Sequence, residues 1–235
     1  MIAGLQKMTL LDYPGKVACT VFLQGCNFRC PFCHNSGLLG AAEQPAIAEE
    51  ELLAFLRKRQ GLLDGVCITG GEPTLHKNLP KLLESIKALG FSVKLDTNGY
   101  RPDILKKLVN QNLVDYVAMD IKNCPERYGE TAGVTNLELD NIQQSMVFLM
   151  EGTLDYEFRT TVVQQFHTVK EMQAIGQWFE ALCPGRTVKK YFLQPYTDRD
   201  SVLCSGLSTP EKADLQAFLA VIQPFVQNAD IRGYE

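Results

Sequence analysis

Residues 17–35 read VACTVFLQGCNFRCPFCHN. The apolar run Val17–Leu23 is typical of a buried β-strand, and it leads directly into a loop that carries three cysteines in C-x3-C-x2-C spacing. The three cysteines are Cys26, Cys30 and Cys33. A loop of this length can curl so that three thiolates converge on one compact centre, and Gly25 and Pro31 suit a tight turn. The stretch therefore predicts a β-strand that is followed by a loop able to bind a metal centre through its three thiolates.

The pattern of a short apolar run followed by an amphipathic stretch recurs along the rest of the chain. Five further runs predict strands: Gly65–Thr69, Phe91–Asp96, Tyr116–Ile121, Tyr156–Val163 and Val188–Leu193. Six stretches predict helices: Ala48–Arg59, Leu79–Leu89, Pro102–Val109, Leu139–Met150, Val169–Leu182 and Pro210–Val226. Successive strand and helix units indicate parallel strands joined by right-handed crossovers.

These units predict an α/β fold in one domain, residues 1–235. A complete eightfold barrel typically needs about 250 residues, so six units in 235 residues favour a partial (β/α)6 TIM-like barrel of parallel strands. A doubly wound open sheet has the same local pattern and remains an alternative at this point. Both architectures place ligands at the carboxyl ends of their strands.

Composition limits the classes of partner. Hydrophobic residues make up 46% of the chain and charged residues 21%, and the formal net charge is -4. This mild acidity argues against a nucleic-acid partner and against an anionic membrane surface. No apolar run reaches membrane length, and residues 1–15 lack the basic and apolar regions of a signal peptide. We therefore expect a cytoplasmic protein.

The three clustered cysteines have several metal-site interpretations. Iron–sulfur clusters usually take four cysteine thiolates, so three would leave one iron open for chemistry. Zinc bound by the three cysteines and His34 is an alternative, although structural zinc sites generally pair ligands from two knuckles. Residues 30–34 also match the attachment string of a c-type haem, which normally requires export. Plain redox or core cysteines are the remaining alternative. The five scattered cysteines are predicted to be buried core residues, since clustered cysteines are the ones that bind metal.

Polar residues recur where the predicted strands end. Gly70, Gly71 and Glu72 follow the second strand, where two glycines would let a ligand approach and leave backbone groups free to bind it. The other polar positions at strand ends are Asp96, Asn98, Asp120, Lys122 and Arg159. Taken singly, such residues are more often turn, cap, solvated or ion-pairing residues. Their recurrence at the carboxyl ends of successive strands predicts a site there.

The cysteine loop, with Phe32 before its last cysteine, and the later Gly70-Gly71-Glu72 together resemble the radical S-adenosylmethionine superfamily. Within it, four strings resemble the activases of glycyl-radical enzymes: 11–16 LDYPGK, 95–99 LDTNG, 120–122 DIK and 133–136 GVTN. The likeness is closest to the anaerobic ribonucleoside-triphosphate reductase activating protein family, a relative of pyruvate formate-lyase activating enzyme. It covers a core of about residues 9–196, which leaves a carboxyl-terminal loop and helix at 197–235.

The resemblance implies one [4Fe–4S] cluster on Cys26, Cys30 and Cys33, with S-adenosylmethionine chelating the fourth iron. It implies that the backbone at residues 32–34 borders the adenine, that residues 70–72 receive the amino group, and that Asp96, Asp120 and Lys122 surround the carboxylate and ribose. In the activases the two aspartates can also hold a monovalent cation. The residues assigned to cofactor binding are Phe32, Cys33, His34, Gly70, Gly71, Glu72, Asp96, Asn98, Asp120, Ile121, Lys122 and Arg159.

The resemblance further implies a reaction and its partners. A flavodoxin- or ferredoxin-like donor reduces the cluster, S-adenosylmethionine is split to methionine and a 5′-deoxyadenosyl radical, and that radical removes hydrogen from a glycine of a glycyl-radical enzyme. The cofactor carries the difficult step, so no protein acid or base is required. The chain departs from pyruvate formate-lyase activases at Thr197, where they carry a histidine after a Pro-Tyr pair. This departure argues against pyruvate formate-lyase as the partner, and the name of the most similar family favours an anaerobic (class III) ribonucleoside-triphosphate reductase.

Two other functions remain alternatives. A radical enzyme of the 7-carboxy-7-deazaguanine synthase type would act on a small molecule instead of a protein. A zinc-binding interaction module without enzymatic activity would use the same cysteines. The sequence leaves the partner enzyme, the electron donor and the oligomeric state undecided.

Overall fold

The structure is a computed structural model that describes residues 2–40, 47–199 and 201–233. The ends of the predicted domain, and residue 200 in the predicted carboxyl-terminal loop, lie outside the described residues. The strands are β1 Ile2–Thr9, β2 Ala18–Leu23, β3 Gly65–Gly70, β4 Ser92–Thr97, β5 Tyr116–Asp120, β6 Asp155–Val162, β7 Val188–Pro195 and β8 Val226–Ile231. The helices are α1 Glu49–Arg57, α2 Leu79–Ala88, α3 Pro102–Asn110, α4 Tyr128–Ala132, α5 Leu139–Glu151, α6 Val169–Leu182 and α7 Lys212–Ile222.

The strands follow one another in the sheet in the order of the sequence, β1 to β8. β1 pairs antiparallel with β2, whereas β2 with β3, β3 with β4, β6 with β7, and β7 with β8 are parallel pairs. A sheet that keeps sequence order needs a crossover after each parallel strand, and helices supply most of these crossovers. The predicted α/β class and the strand order of a partial (β/α)6 barrel are therefore confirmed, and the doubly wound alternative is excluded because its strand order reverses.

Sequence reasoning missed the two outer strands and one short helix. It also extended the last helix to Val226, whereas α7 ends at Ile222 and a 3-10 turn follows over Gln223–Phe225. Pro224 lies in that turn and cannot continue the helical hydrogen-bond ladder. The chain then enters β8 instead of ending in a helix.

The described chain divides into two compact units. The first comprises Met1–Asn27, Gly37–Thr97 and Arg101–Ala118, and the second comprises Phe28–Ser36, Asn98–Tyr100 and Met119–Glu235. The core of the first unit is aliphatic, with fully buried Val21, Val66 and Leu95 on its strands. The second unit has an aromatic core, in which Phe179 of α6 packs against Phe158 and Tyr191 with ring centroids 5.6 and 5.5 Å apart. That the whole chain is a single domain remains a prediction.

Helix α6 begins where the sequence predicted because its first turn carries a capping box. The Thr168 hydroxyl accepts a hydrogen bond from the Lys170 N–H, and the Glu171 carboxylate accepts one from the Thr168 N–H. A cap of this kind stabilises a helix by about 1 kcal/mol. It anchors the segment after β6, which carries His167.

The scattered cysteines are mostly core residues, as predicted. Cys19, Cys67, Cys124 and Cys183 are buried and form no disulfide within the described chain, and burial raises the pKa of Cys19 to about 12. Cys204 is exposed, so the prediction that all five are buried is wrong at this position. It lies in the polar loop that precedes α7, where no apolar neighbours cover it.

Candidate functional site

The cysteine loop begins at the end of β2 and passes from the first unit into the second. Cys26 belongs to the first unit, whereas Cys30 and Cys33 belong to the second. None of these three cysteines of the described chain forms a disulfide, and the Cys33 N–H donates to the Cys30 carbonyl oxygen at 3.0 Å, which closes a turn around Pro31. Among the residues that the structure describes, no group of three or more His, Cys, Asp or Glu side chains is arranged to hold a metal ion. Cluster ligation by these cysteines therefore remains a prediction.

Helix α4, which sequence reasoning missed, supports the second half of this loop. The Arg29 N–H donates to the Ala132 carbonyl oxygen at 2.9 Å, and the Cys30 sulfur lies 3.7 Å from the same oxygen. Gly133 then ends the helix with φ of +66°, and a Cβ at this position would lie 2.1 Å from the Arg29 carbonyl oxygen. Only glycine permits this approach, which explains the glycine of the GVTN string.

His34, the fourth ligand of the zinc interpretation, contacts Tyr196 and Thr197 within the second unit. Its ring stacks on Tyr196 with centroids 5.5 Å apart, and its Nε2 lies 2.7 Å from the Thr197 carbonyl oxygen. A carbonyl oxygen accepts hydrogen bonds, so this nitrogen carries a proton and has no lone pair for a metal. The contact therefore argues only against metal ligation through Nε2, and an all-thiolate donor set suits iron and sulfide. Thr197, where the related activases carry histidine, thus contacts an imidazole that comes from the cysteine loop.

Phe32 is buried and packs against Phe166 in the second unit, with ring centroids 6.1 Å apart. The Pro31 carbonyl oxygen accepts the Cys204 N–H at 3.0 Å, and the Ser201 hydroxyl donates to the His34 carbonyl oxygen at 3.0 Å. The loop around residue 201 therefore holds the backbone that follows Cys30. These contacts fix the part of the chain predicted to border the adenine.

The structure corrects the reason given for the glycines at the end of β3. A Cβ on Gly70 would lie 2.3 Å from the Leu23 carbonyl oxygen, and one on Gly71 would lie 2.0 Å from the Gly25 carbonyl oxygen. The N–H groups of Gly71 and Glu72 donate to those two oxygens at 2.8 Å each. The expectation that these N–H groups are free for a ligand is therefore wrong. The glycines allow the end of β3 to lie against the start of the cysteine loop.

Glu72 organises the same strand ends through its side chain. The carboxylate is fully buried, and its Oε1 accepts hydrogen bonds from the Thr74 N–H at 3.1 Å and the Thr97 hydroxyl at 2.7 Å. Because Thr97 ends β4, Glu72 links the ends of β3 and β4 within the first unit. Sequence reasoning did not identify Thr74 or Thr97, since a threonine in a strand is ordinarily a packing residue.

Asp96 forms an ion pair with Lys94 in the first unit. The two residues lie two apart on β4, so their side chains leave the same face of the strand. Lys94 is only 1% exposed, and its ammonium lies 3.8 Å from the sulfur of Cys67, its register partner on β3. Sequence reasoning did not identify Lys94, because a lysine within a strand is ordinarily a solvated residue.

In the second unit the structure brings together three predicted residues, Asp120, Lys122 and Arg159. The Asp120 carboxylate receives the Lys122 ammonium at 2.8 Å and the Arg159 Nε at 2.6 Å. Burial raises the pKa of Asp120, but the charges of Arg159 and Lys122 outweigh burial, so that pKa lies well below its usual range. For Lys122, burial is outweighed by the charges of Asp120 and Cys30, which hold its pKa above the usual range. Two cations around one carboxylate leave a net positive charge that suits an anionic ligand group.

The backbone of this charged cluster is held by two predicted residues, Ile121 and Arg159, and by two that sequence reasoning missed, Tyr128 and His167. Ile121 donates its N–H to the Arg159 carbonyl oxygen at 2.8 Å, and the Tyr128 hydroxyl donates to the Asp120 carbonyl oxygen at 3.2 Å. His167 is buried, its Nδ1 accepts the Val163 N–H at 3.1 Å, and its Nε2 lies 2.9 Å from the Lys122 carbonyl oxygen. Burial lowers the pKa of His167, which favours the neutral imidazole, and the Lys122 carbonyl oxygen can accept a hydrogen bond from a proton carried on Nε2.

Asn98 occupies a turn in the second unit. It is 5% exposed, and its Oδ1 accepts the Tyr100 N–H at 3.0 Å. This is the turn-forming role that asparagine commonly has. Cofactor binding by Asn98, like that by the other assigned residues, remains a prediction. None of the helices among the described residues has the length and apolar character needed to cross a membrane.

Comparison with known proteins gives the family. Residues 20–144, about half of the chain, match the Radical SAM superfamily. A Methanocaldococcus jannaschii protein named as a glycyl-radical enzyme activating enzyme is 28% identical over 99% of this chain and 95% of its own length. The pyruvate formate-lyase-activating enzyme of Clostridium pasteurianum is 33% identical over 52% of each chain. The 7-carboxy-7-deazaguanine synthase of Thermococcus kodakarensis is 28% identical over 68% of each.

A solved structure shares the fold. SuiB of Streptococcus suis, crystallised with its precursor peptide SuiA, superposes with a TM-score of 0.70 at 14% sequence identity, over 91% of this chain and 48% of its own. The resemblance inferred from the cysteine loop and the glycyl-radical activase strings is confirmed by these similarities. The chain belongs to the radical SAM superfamily and is an enzyme of that type.

Proposed function

We propose that this enzyme is an activase that cleaves S-adenosylmethionine and places a glycyl radical on a partner enzyme, an anaerobic (class III) ribonucleoside-triphosphate reductase. The similarity to the Methanocaldococcus activating enzyme, which extends over 99% of the chain, carries the activase part of the proposal. The absence of the histidine at Thr197 favours this partner over pyruvate formate-lyase. A flavodoxin- or ferredoxin-like protein is the proposed electron donor.

The thiolates of Cys26, Cys30 and Cys33 would hold one [4Fe–4S] cluster. When bound, the cluster supplies the electron that splits the sulfonium of S-adenosylmethionine into methionine and a 5′-deoxyadenosyl radical. Two observations support this assignment: the three cysteines lie in one short loop, and the Nε2 of His34 is bonded to the Thr197 carbonyl oxygen. The protein's own part is to bind and orient the nucleotide and to keep water and other reductants away.

The ionised groups at the strand ends support the binding part of this role. The net positive cluster of Asp120, Lys122 and Arg159 suits the carboxylate of the methionine moiety, while the Asp120 carboxylate can also accept hydrogen bonds from a ribose. The backbone from Phe32 to His34 would border the adenine. It is held by packing onto Phe166 and by the Ser201 hydroxyl.

Anaerobic reconstitution tests the cluster. Protein supplied with iron and sulfide should turn brown, bind about four of each per chain, and form 5′-deoxyadenosine from S-adenosylmethionine when reduced with dithionite. Cys26→Ala, Cys30→Ala and Cys33→Ala should each lose the bound iron and the product. Cys204→Ala is the matched control, because Cys204 is an exposed thiol outside the trio. A protein that binds only zinc would contradict the proposal.

The partner is tested by incubating the reduced enzyme and S-adenosylmethionine with a purified anaerobic ribonucleoside-triphosphate reductase. Electron paramagnetic resonance should show a glycyl radical on the reductase, and no radical should form when Cys33→Ala replaces the enzyme. The similarity to 7-carboxy-7-deazaguanine synthase supports a second candidate, a small-molecule reaction. That candidate predicts formation of 5′-deoxyadenosine but no glycyl radical on a partner protein. The partners to test are proteins that carry a carboxyl-terminal glycyl-radical loop and are encoded by neighbouring genes.

A further inference from the structure

Both aspartates that the family resemblance assigns to a monovalent cation already have a cation from the chain itself. In the first unit Asp96 is paired with the Lys94 ammonium. In the second unit Asp120 is paired with both Lys122 and Arg159. A free Na⁺ or K⁺ ion would have to compete for carboxylate oxygens that these side chains already neutralise.

The Lys94 ammonium is buried beside its own strand, β4. The side chain is 1% exposed and lies on the interior of β4, with the Cys67 sulfur 3.8 Å away. A buried ammonium persists only where an anion and hydrogen-bond acceptors compensate for its lost hydration. Asp96 is that anion, so the two groups hold each other in place at the carboxyl end of the strand.

A monovalent cation does not fit beside Asp96 in this arrangement. The ion would stand next to an ammonium in a poorly solvated site, where two like charges repel strongly. We propose that the Lys94 ammonium takes the place of a monovalent cation in this enzyme, so that S-adenosylmethionine binding is independent of Na⁺ and K⁺. Lys94 acts as a positioning residue, because it orients Asp96 and does not itself touch the nucleotide. This inference rests on the proposed function, in which Asp96 lies beside the nucleotide.

The test measures the dissociation constant for S-adenosylmethionine by anaerobic calorimetry on the cluster-loaded enzyme. The buffers contain KCl, NaCl or tetramethylammonium chloride at equal ionic strength, because tetramethylammonium is too large to sit between carboxylate oxygens. The wild-type dissociation constants should agree within about twofold in the three salts, a difference of about 0.4 kcal/mol. Binding that is tenfold or more weaker in tetramethylammonium would overturn the inference.

The Lys94→Met variant provides the converse test, since methionine fills a similar volume without the charge. Its affinity should fall by about tenfold or more in tetramethylammonium, and KCl or NaCl should restore much of the loss. A merely structural role for Lys94 would not give rescue by a particular cation. Lys87→Met is the matched control, because Lys87 forms a half-exposed ion pair with Asp115 in the same unit. Equal affinity of Lys94→Met and wild type in every salt would overturn the inference.

The outcomes separate this inference from the proposed function. Wild-type enzyme that binds S-adenosylmethionine only with K⁺ or Na⁺ overturns the inference and leaves the function standing. Enzyme that binds no S-adenosylmethionine in any salt overturns both. If Lys94→Met does not fold, the salt series on the wild-type enzyme still decides the question.

Discussion

Arg232 forms a two-point ion pair with Glu157, with Nη1–Oε1 and Nη2–Oε2 distances of 2.6 and 2.7 Å. Glu157 lies on β6 and is fully buried, whereas Arg232 follows β8 and places its guanidinium 3.4 Å from the centre of the Phe192 ring. The pair therefore ties the last described strand to the interior of the second unit. Sequence analysis had assigned neither the strand nor the pair.

We expect Arg232→Ala to lower the free energy of unfolding by about 3 kcal/mol, because it removes the guanidinium that forms a two-point ion pair with a buried carboxylate. Denaturant titration followed by circular dichroism measures this loss. The double variant Glu157→Gln/Arg232→Met should lose less than the sum of its two single variants, since neither charge is left unpaired. Arg101→Met, which breaks an exposed pair with Asp103, should change stability by no more than about 0.5 kcal/mol. Equal effects at positions 101 and 232 would contradict this expectation.

Gly71→Ala should cost about 2 kcal/mol or more of unfolding free energy, because the added methyl group would lie 2.0 Å from the Gly25 carbonyl oxygen. Gly37→Ala is the control, since nothing lies within 4 Å of a Cβ at that position. Thermal unfolding of the two purified variants compares them directly. A Gly71→Ala protein as stable as Gly37→Ala would mean that β2 and β3 do not approach as described.

Stability should fall as the pH drops below about 6.5, the pKa of an unperturbed histidine. Burial lowers the pKa of His167 in the folded protein, so the unfolded chain takes up the proton first and folding is penalised from about pH 6.5 down to the folded pKa. Above pH 6.5 this penalty is absent. The slope contributed by one histidine is at most about 1.4 kcal/mol per pH unit.

His167→Gln should flatten this dependence, which urea titrations at a series of pH values between neutral and mildly acidic would measure. His76 must be replaced in parallel, because burial lowers its pKa as well. The double variant should have the flattest profile. If the histidine variants retain the full wild-type slope, His167 is not held neutral by its two backbone partners.

His34→Ala should keep its iron and sulfide after anaerobic reconstitution, because the proposed cluster is held by three cysteine thiolates and the Nε2 of His34 is bonded to the Thr197 carbonyl oxygen. Cys33→Ala provides the opposite result in the same assay. Iron and acid-labile sulfide are measured on desalted protein. Loss of metal from His34→Ala to the extent seen with Cys33→Ala would support the three-cysteine, one-histidine site instead.

The sequence predicted β2 to β7 within two residues at each end, because each of these strands carries a short run of mostly buried residues between turn or helix signals. It did not predict β1 and β8, which carry exposed polar residues such as Gln227 and Asn228 and are the outer strands of the sheet. An outer strand has one side free of pairing and needs no apolar run. Its position depends on its neighbour in the sheet, which no local pattern encodes.

The residues of the candidate site also fall into a group that the sequence predicted and a group that it did not. The cysteine loop and the polar strand ends are visible as short strings, and the structure places Asp120, Lys122 and Arg159 in one cluster. The partners that hold them were not predictable, since Lys94 reads as a solvated lysine and His167 as an ordinary loop residue. Only the fold brings their partners within bonding distance.

Because Lys94 and Asp96 form an ion pair two positions apart on β4, the two residues need to be exchanged together when the strand is changed. Replacing either residue alone removes one half of a buried ion pair, which costs more stability than exchanging both residues together. Grafting the Asp-Thr-Asn-Gly segment onto a related scaffold should therefore succeed only if the lysine two positions upstream is transferred with it. Designers who recombine such enzymes need to place their crossover points before residue 94.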